Sequence, residues 1–145
     1  GITHAEYKFW NNRFYMIEFA ARGGGASISS HIIPIISGVD VSDLLLSCAL
    51  GESIAPIEPK AQTEAAVLEF FFLQPGKVKS IRGLEDIRAS PGVADAGLTF
   101  KSGDTVVLPS HGGARAGHFI AHAPSDAELD ALCARIRRTL KVEYE

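Results

Sequence analysis

The stretch Ile17-Glu18-Phe19-Ala20-Ala21-Arg22-Gly23-Gly24-Gly25-Ala26-Ser27-Ile28-Ser29 reads as an apolar strand, a glycine turn and the entry to a helix. It sets a carboxylate and a guanidinium where the chain changes direction. Upstream, residues 2–9 alternate Ile2, His4, Glu6 and Lys8 with Thr3, Ala5, Tyr7 and Phe9, the period of two that marks a strand. Asn11-Asn12-Arg13 is a turn signal. Residues 14–20 form a second strand whose apolar run predicts burial on both faces. The two strands are expected to pair as an antiparallel hairpin. Glu6 and Glu18 both lie six residues from Asn12, so a turn centred there sets them opposite one another. Directly opposed side chains share a face, about 5 Å apart. Two carboxylates so placed repel unless a cation or proton lies between them. Oxygen ligands of this kind suit Mg²⁺ or Mn²⁺. Arg22 is a forked donor for phosphate or carboxylate. Gly23-Gly24-Gly25 permits close approach of a ligand or backbone, and a glycine loop before a helix is an anion site in outline.

Working outward, residues 28–37 predict a short apolar helix disturbed by Pro34 and ended by Gly38. Asp40 or Ser42 can cap a second helix through Leu50, closed by Gly51. Both helices are apolar nearly all round and are expected to pack under the sheet, with His31 part of that packing. Glu52 to Thr63, with Pro56 and Pro59, reads as a linker. The remainder is β-rich. Strands are expected at 65–73, 78–81, 93–101, 105–108 and 117–123, with a short helix or turn at 83–87 and a loop at 109–114. Ser125 to Glu128 forms a capping box. The helix after it carries Leu129, Leu132, Cys133, Ile136 and Leu140 on one face and Arg135, Arg137 and Arg138 in its last turns, where cations are favoured as a solvated face. A final edge strand is expected at 141–144. The spacing of His111, His118 and His122 matches no metal-ligand pattern. The fold class is thus α+β, as two domains, 1–58 and 59–145.

The 145 residues carry a net charge of −3, 46% hydrophobic residues and no block of like charge. That balance argues for a globular protein and against a nucleic-acid surface. No run of about 18 apolar residues is present to span a membrane. Cys48 and Cys133 both sit in apolar helical patterns and read as two buried thiols in a reducing cytoplasm. The sequence lacks an initiator Met, and Gly1-Ile2-Thr3-His4 runs straight into a strand pattern. We read this as an internal start, that is, a piece of a longer protein, with a tag-trimmed complete protein as the alternative.

Over residues 3–29 the sequence resembles the ATP-grasp superfamily of carboxylate–amine, or carboxylate–thiol, ligases. The resemblance rests on Thr3-His4-Ala5-Glu6-Tyr7-Lys8 and on Tyr15 to Gly25. Members of that family show a Glu on the first strand and, about a dozen residues later, Glu-x-Asn-x-Arg leading to a glycine-rich turn. Ile32-Ile33-Pro34-Ile35-Ile36-Ser37-Gly38-Val39-Asp40 is similar to the helix and Ser-Gly-x-Asp step that follow. Gly76-Lys77-Val78, Lys101-Ser102-Gly103-Asp104 and Arg115 to Ala121 are similar to the β-rich C-terminal domain of the branch with biotin carboxylase and the purine-biosynthetic and amino-acid ligases. The resemblance implies that Glu6 and Glu18 bind Mg²⁺ bridging ATP phosphates, that Gly23 and Gly24 lie against the nucleotide, and that Arg22 holds the transferring phosphate or the substrate carboxylate. The implied reaction is phosphorylation of a small carboxylate by ATP, then attack of an amine on the acyl phosphate. Two departures stand out. The family's Asn is Ala20 here, which cannot coordinate a metal. The lysine-bearing lid that precedes the hairpin in the family is not in these residues, so the chain alone is expected to be inactive. A non-catalytic α+β interaction module, with a homodimer as one outcome, is the second reading.

Overall fold

A computed structural model describes residues 1–57, 64–110 and 114–145. The chain divides into two compact units, Gly1–Ala61 and Gln62–Glu145. The expected boundary at residues 58 and 59, the later part of the expected linker and His111 lie outside the described residues.

The first unit opens with an antiparallel ribbon of β1 (His4–Trp10) and β2 (Arg13–Ala20). Its turn is the pair Asn11-Asn12, with φ of 47° and 58°. Both central residues are left-handed, as a two-residue type I′ turn requires, and Asn tolerates that region better than most residues. The turn is therefore one residue shorter than Asn11-Asn12-Arg13, and its centre is not Asn12. Near it the pairs are Trp10 with Arg13 and Tyr7 with Met16. A bulge then intervenes, and the register continues as Glu6 with Glu18, Ala5 with Phe19 and His4 with Ala20. The expected Glu6–Glu18 pair is present because the bulge adds back the residue that the shorter turn removes.

The ribbon corrects a second expectation. β2 is exposed from Arg13 to Phe19, and Phe14, Ile17 and Phe19 are 58–74% exposed. Among the described residues the sheet has two strands, and its apolar side chains are left exposed. The helices differ in the same way. After a π-helix at Ile28–Ile32, α1 (Ile33–Ser37) and α2 (Val41–Leu50) follow, and none of the three contains a buried residue. They were expected to pack under the sheet, but their principal contacts are with one another. The π turn ends as Pro34 approaches. Proline has no N–H to donate to residue 30, and its ring crowds that carbonyl, so a regular α turn cannot run through it. Ile33 instead bonds back to the Ile28 carbonyl, five residues away. Gly38, at φ 68°, closes α1. Asp40, not Ser42, caps α2, accepting from the Ser42 and Asp43 amides at 2.9 and 3.1 Å. Between them the chain bends by 110°. Among the described residues no single helix is long and apolar enough to cross a membrane.

The second unit holds the core. One antiparallel sheet has the order β3 (Ala65–Phe70), β7 (Gly117–Ala123), β5 (Val93–Leu98); another has β6 (Thr105–Val106), β4 (Gly76–Arg82), β8 (Lys141–Tyr144). The strands at 65, 93 and 105 stop two to three residues short of their expected ends. β7 turns Phe119, Ala121 and Ala123 to one face, opposite Glu69, Val67 and Ala65 of β3. The small alanines leave room for α4 (Asp126–Thr139), which lays Leu129, Leu132, Cys133 and Ile136 on that face. The short helix α3 (Leu84–Arg88) adds Ile87, almost fully buried. Ser125 caps α4, accepting from the Glu128 amide at 3.4 Å as the capping box predicts, but the Glu128 carboxylate accepts from the Ser125 hydroxyl at 2.8 Å in place of the Ser125 amide. The edge strand β8 is fixed to β4 by side chains as well: Ser80 and Arg82 both donate to Glu143 and hold its carboxyl below the usual range.

Candidate metal and anion site

Side chains alternate along a strand, so Glu6 and His4 of β1 share one face of the ribbon with Glu18 and Ala20 of β2. Both glutamates are exposed. Arg22 lies just past β2. Its Nη2 donates to Glu18 Oε1 at 3.3 Å and its Nη1 to the Gly23 carbonyl at 3.0 Å. Three of the expected residues thus meet at one end of the ribbon: two carboxylates face each other, and the guanidinium leans on one of them.

The glycines act differently from the simplest reading. None of Gly23, Gly24 and Gly25 has a positive φ; Ala26 and Ser27 take the left-handed positions, at 50° and 60°. Gly23 and Gly24 matter for close approach within the chain. A Cβ on Gly23 would stand 2.8 Å from Ser29 Oγ, and one on Gly24 3.1 Å from Ile28 Cγ2 and 3.3 Å from His4 Cδ2. The loop is held by Ser29 Oγ donating to the Gly24 carbonyl at 3.2 Å. The helix that follows is a five-residue π turn without a side-chain cap. So short an element aligns few peptide dipoles, and Arg22 is the cationic side chain at this turn.

The fit to a divalent cation follows from the donor set. Among the described residues no group of three or more His, Cys, Asp or Glu side chains converges to hold a metal ion. Glu6 and Glu18 offer two facing carboxylates and no third protein donor of these types among the described residues. Mg²⁺ is commonly held this way, by one or two carboxylates with water and substrate phosphates completing its shell. Ala20 adds no donor. His4, across from it, has a solvent-shielded Nδ1 without a hydrogen-bond partner.

The remaining titratable candidates have partners elsewhere. Ser30 Oγ and His31 Nδ1 lie 2.9 Å apart. His118 pairs with Asp95 at 2.9 Å, and His122 with Glu64. Arg137 does not belong to a purely solvated face: its fork spans the Glu69 carboxylate of β3. Cys133 is buried as expected, but Cys48 is exposed, because α2 has no layer over it. Sequence reasoning gave no role to the contact of Arg115 with Phe70, which joins two segments far apart in the chain and has no local signal.

With this geometry in hand, comparison with known proteins identifies the class. The α+β architecture of the chain is the one seen in solved ligase and synthetase structures. More particularly, through residues 69–145 the chain belongs to the family described as L-amino acid ligase C-terminal domain 2. Among solved structures, an L-amino acid ligase from Bacillus licheniformis is similar at 23% identity and TM-score 0.81, over 99% of this chain and 36% of that one. A phosphoribosylglycinamide synthetase from Anaerococcus prevotii is similar at 13% identity and TM-score 0.82, over 99% of this chain and 37% of that one. An N5-carboxyaminoimidazole ribonucleotide synthetase from Thermotoga maritima is similar at 17% identity and TM-score 0.55, over 92% of this chain and 34% of that one. The chain thus spans about a third of the length of these structures. No curated protein matches the sequence.

Proposed function

We propose that this chain supplies the metal-and-anion wall of an ATP-dependent carboxylate–amine ligase, acting on a small carboxylate and an amine through an acyl phosphate; a thiol in place of the amine is the related case. In this reading residues 1–58 are the C-terminal part of an ATP-grasp domain and residues 59–145 a β-rich accessory domain, working in the cytoplasm. The observation that carries it is the direct pairing of Glu6 with Glu18, with Arg22 on the second carboxylate.

The division of labour follows from charge. Glu6 and Glu18 hold Mg²⁺, or Mn²⁺, which when bound neutralises phosphate oxygens and orients them for transfer. Before that, Glu18 is shared with Arg22. With Glu18 engaged in holding a cation, Arg22 would be released from it and could turn its fork toward a phosphate or carboxylate oxygen. Gly23 and Gly24 let the side chains of Ser29, Ile28 and His4 pack close against the turn that would lie beside the nucleotide. With alanine at position 20, the pair of glutamates carries the protein's share of coordination, and water supplies the rest. The parts that would grip adenine lie outside these residues, so the chain alone is expected to be inactive.

The test is ADP release from ATP by the protein as its gene encodes it, screened with amino acids and small carboxylates. Glu18→Gln keeps shape and removes charge. It should lower turnover by a hundredfold or more, on the order of the loss when one preorganised charged group is removed. Turnover equal to that of the unmodified protein would overturn the assignment.

A further inference from the structure

We propose that the second unit carries a separate binding site for a small organic monocarboxylate with an apolar body, built around Arg115. A cleft of about 380 Å³ lies within this unit, walled by Phe71, Leu73, Val106, Leu108 and Pro109. Its size falls in the range of small-ligand pockets, and its lining is mostly hydrocarbon with one cation at the wall. That cation is Arg115, whose guanidinium carbon stands 3.8 Å from the centroid of the Phe70 ring.

The stacking decides what Arg115 can do. The Phe70 ring covers one side of the guanidinium without using any of its N–H donors in an ion pair, and a guanidinium grips a carboxylate with two parallel hydrogen bonds. No ion pair links Arg115 to a carboxylate among the described residues. Arg22, Arg82, Arg88 and Arg137 are paired with Glu18, Glu143, Glu85 and Glu69, while Arg13, Arg135 and Arg138, like Arg115, have no ion pair among the described residues; of these four, Arg115 is the one that lines this cleft. An unpaired cation on an apolar wall loses hydration when a neutral apolar ligand enters and gains a partner when a carboxylate does. A phosphate or other dianion would call for several donors, and among the described residues this wall offers one cation.

The site is also held in place. Thr99 donates through its hydroxyl to the Arg115 carbonyl and through its amide to the Ala116 carbonyl, both at 3.0 Å. The Phe71 amide bonds the Gly117 carbonyl at 3.0 Å. Gly117 admits no side chain, because a Cβ would stand 2.4 Å from the Gly97 carbonyl oxygen. Both segments that carry the stacked pair are therefore fixed to the sheet before any ligand arrives, which lowers the ordering cost of binding.

The proposal does not depend on the metal reading of Glu6 and Glu18, and one experiment separates them. The 145-residue chain is titrated with 4-phenylbutyrate, and in parallel with 4-phenylbutanol, its neutral match, by calorimetry and by amide NMR. The acid should bind saturably, shift signals of Phe71, Leu73, Val106 and Ala116, and bind at least about tenfold more tightly than the alcohol. Arg115→Gln should remove that preference, Arg115→Lys should restore part of it, and Glu18→Gln should leave it unchanged. Equal binding of acid and alcohol, an unchanged preference in Arg115→Gln, or no saturation at millimolar acid would overturn the proposal. The acid-to-alcohol comparison is made in the unmodified chain, so it stands even if a variant folds poorly.

Discussion

Glu18 shows how little a candidate functional residue needs to contribute to stability. Its contact with Arg22 is at 3.3 Å, and both side chains are more than half exposed. Water screens such a pair, which is worth at most about 1 kcal/mol. That is why Glu18→Gln is a clean probe of function. Its spacing from Glu6 was readable in the sequence, since a strand period and a turn signal are local properties. The environment of Cys48 was not. Its apolar neighbours suggested burial, but burial depends on another element lying over the helix, which no local pattern reveals. The two cysteines therefore make a prediction. Burial pushes the Cys133 thiol up from its ordinary value, with the Glu69 charge adding to the effect, while Cys48 is exposed. A thiol-specific reagent at pH 8 should label Cys48 rapidly and Cys133 only after unfolding. Because the folded state holds the Cys133 proton more tightly, its contribution to stability is complete below the ordinary thiol range and fades as pH rises above it. Labelling of both thiols at the same rate in the folded chain would contradict this.

Among the elements, α4 was the most legible. Its cap, apolar stripe and late arginines all lie within one stretch of sequence, and each feature points to the same helix. Ser125→Ala removes an acceptor from the first turn and should cost about 1 kcal/mol, read as a lowered midpoint in urea with an unchanged slope. No change in midpoint would show that the cap is idle. The ribbon was legible in a different way. The Glu6–Glu18 pair is present, but through a two-residue turn and a bulge that offset each other. Bulges carry no dependable sequence mark, so the pairing could be expected while its route could not. The π-helix is the least legible element. Pro34 announces a break, yet whether the preceding turn tightens or widens depends on how Ser27 to Ile33 share their carbonyls.

At the scale of the whole molecule, every buried hydrophobic residue among those described belongs to the second unit. The first has ample apolar sequence but exposes Tyr7, Phe9, Phe14, Ile17 and Phe19 along its ribbon. Composition could not distinguish the two, since both read as normal globular sequence. Local opening is easiest where few apolar contacts must break. Amides of β1 and β2 should therefore exchange with deuterium at least about a hundredfold faster than those of β7 and α4. Equal protection in both units would mean that the ribbon is covered in solution.

The claim that Glu6 and Glu18 together hold a divalent cation is tested most directly by titrating the chain with Mn²⁺ while following its amide and side-chain NMR signals. Paramagnetic broadening should begin at Glu6 and Glu18 and their neighbours Ala5 and Phe19, and it should disappear from those residues in both Glu6→Gln and Glu18→Gln. Broadening that spreads evenly over the acidic surface, or that persists at the ribbon in either variant, would contradict the claim.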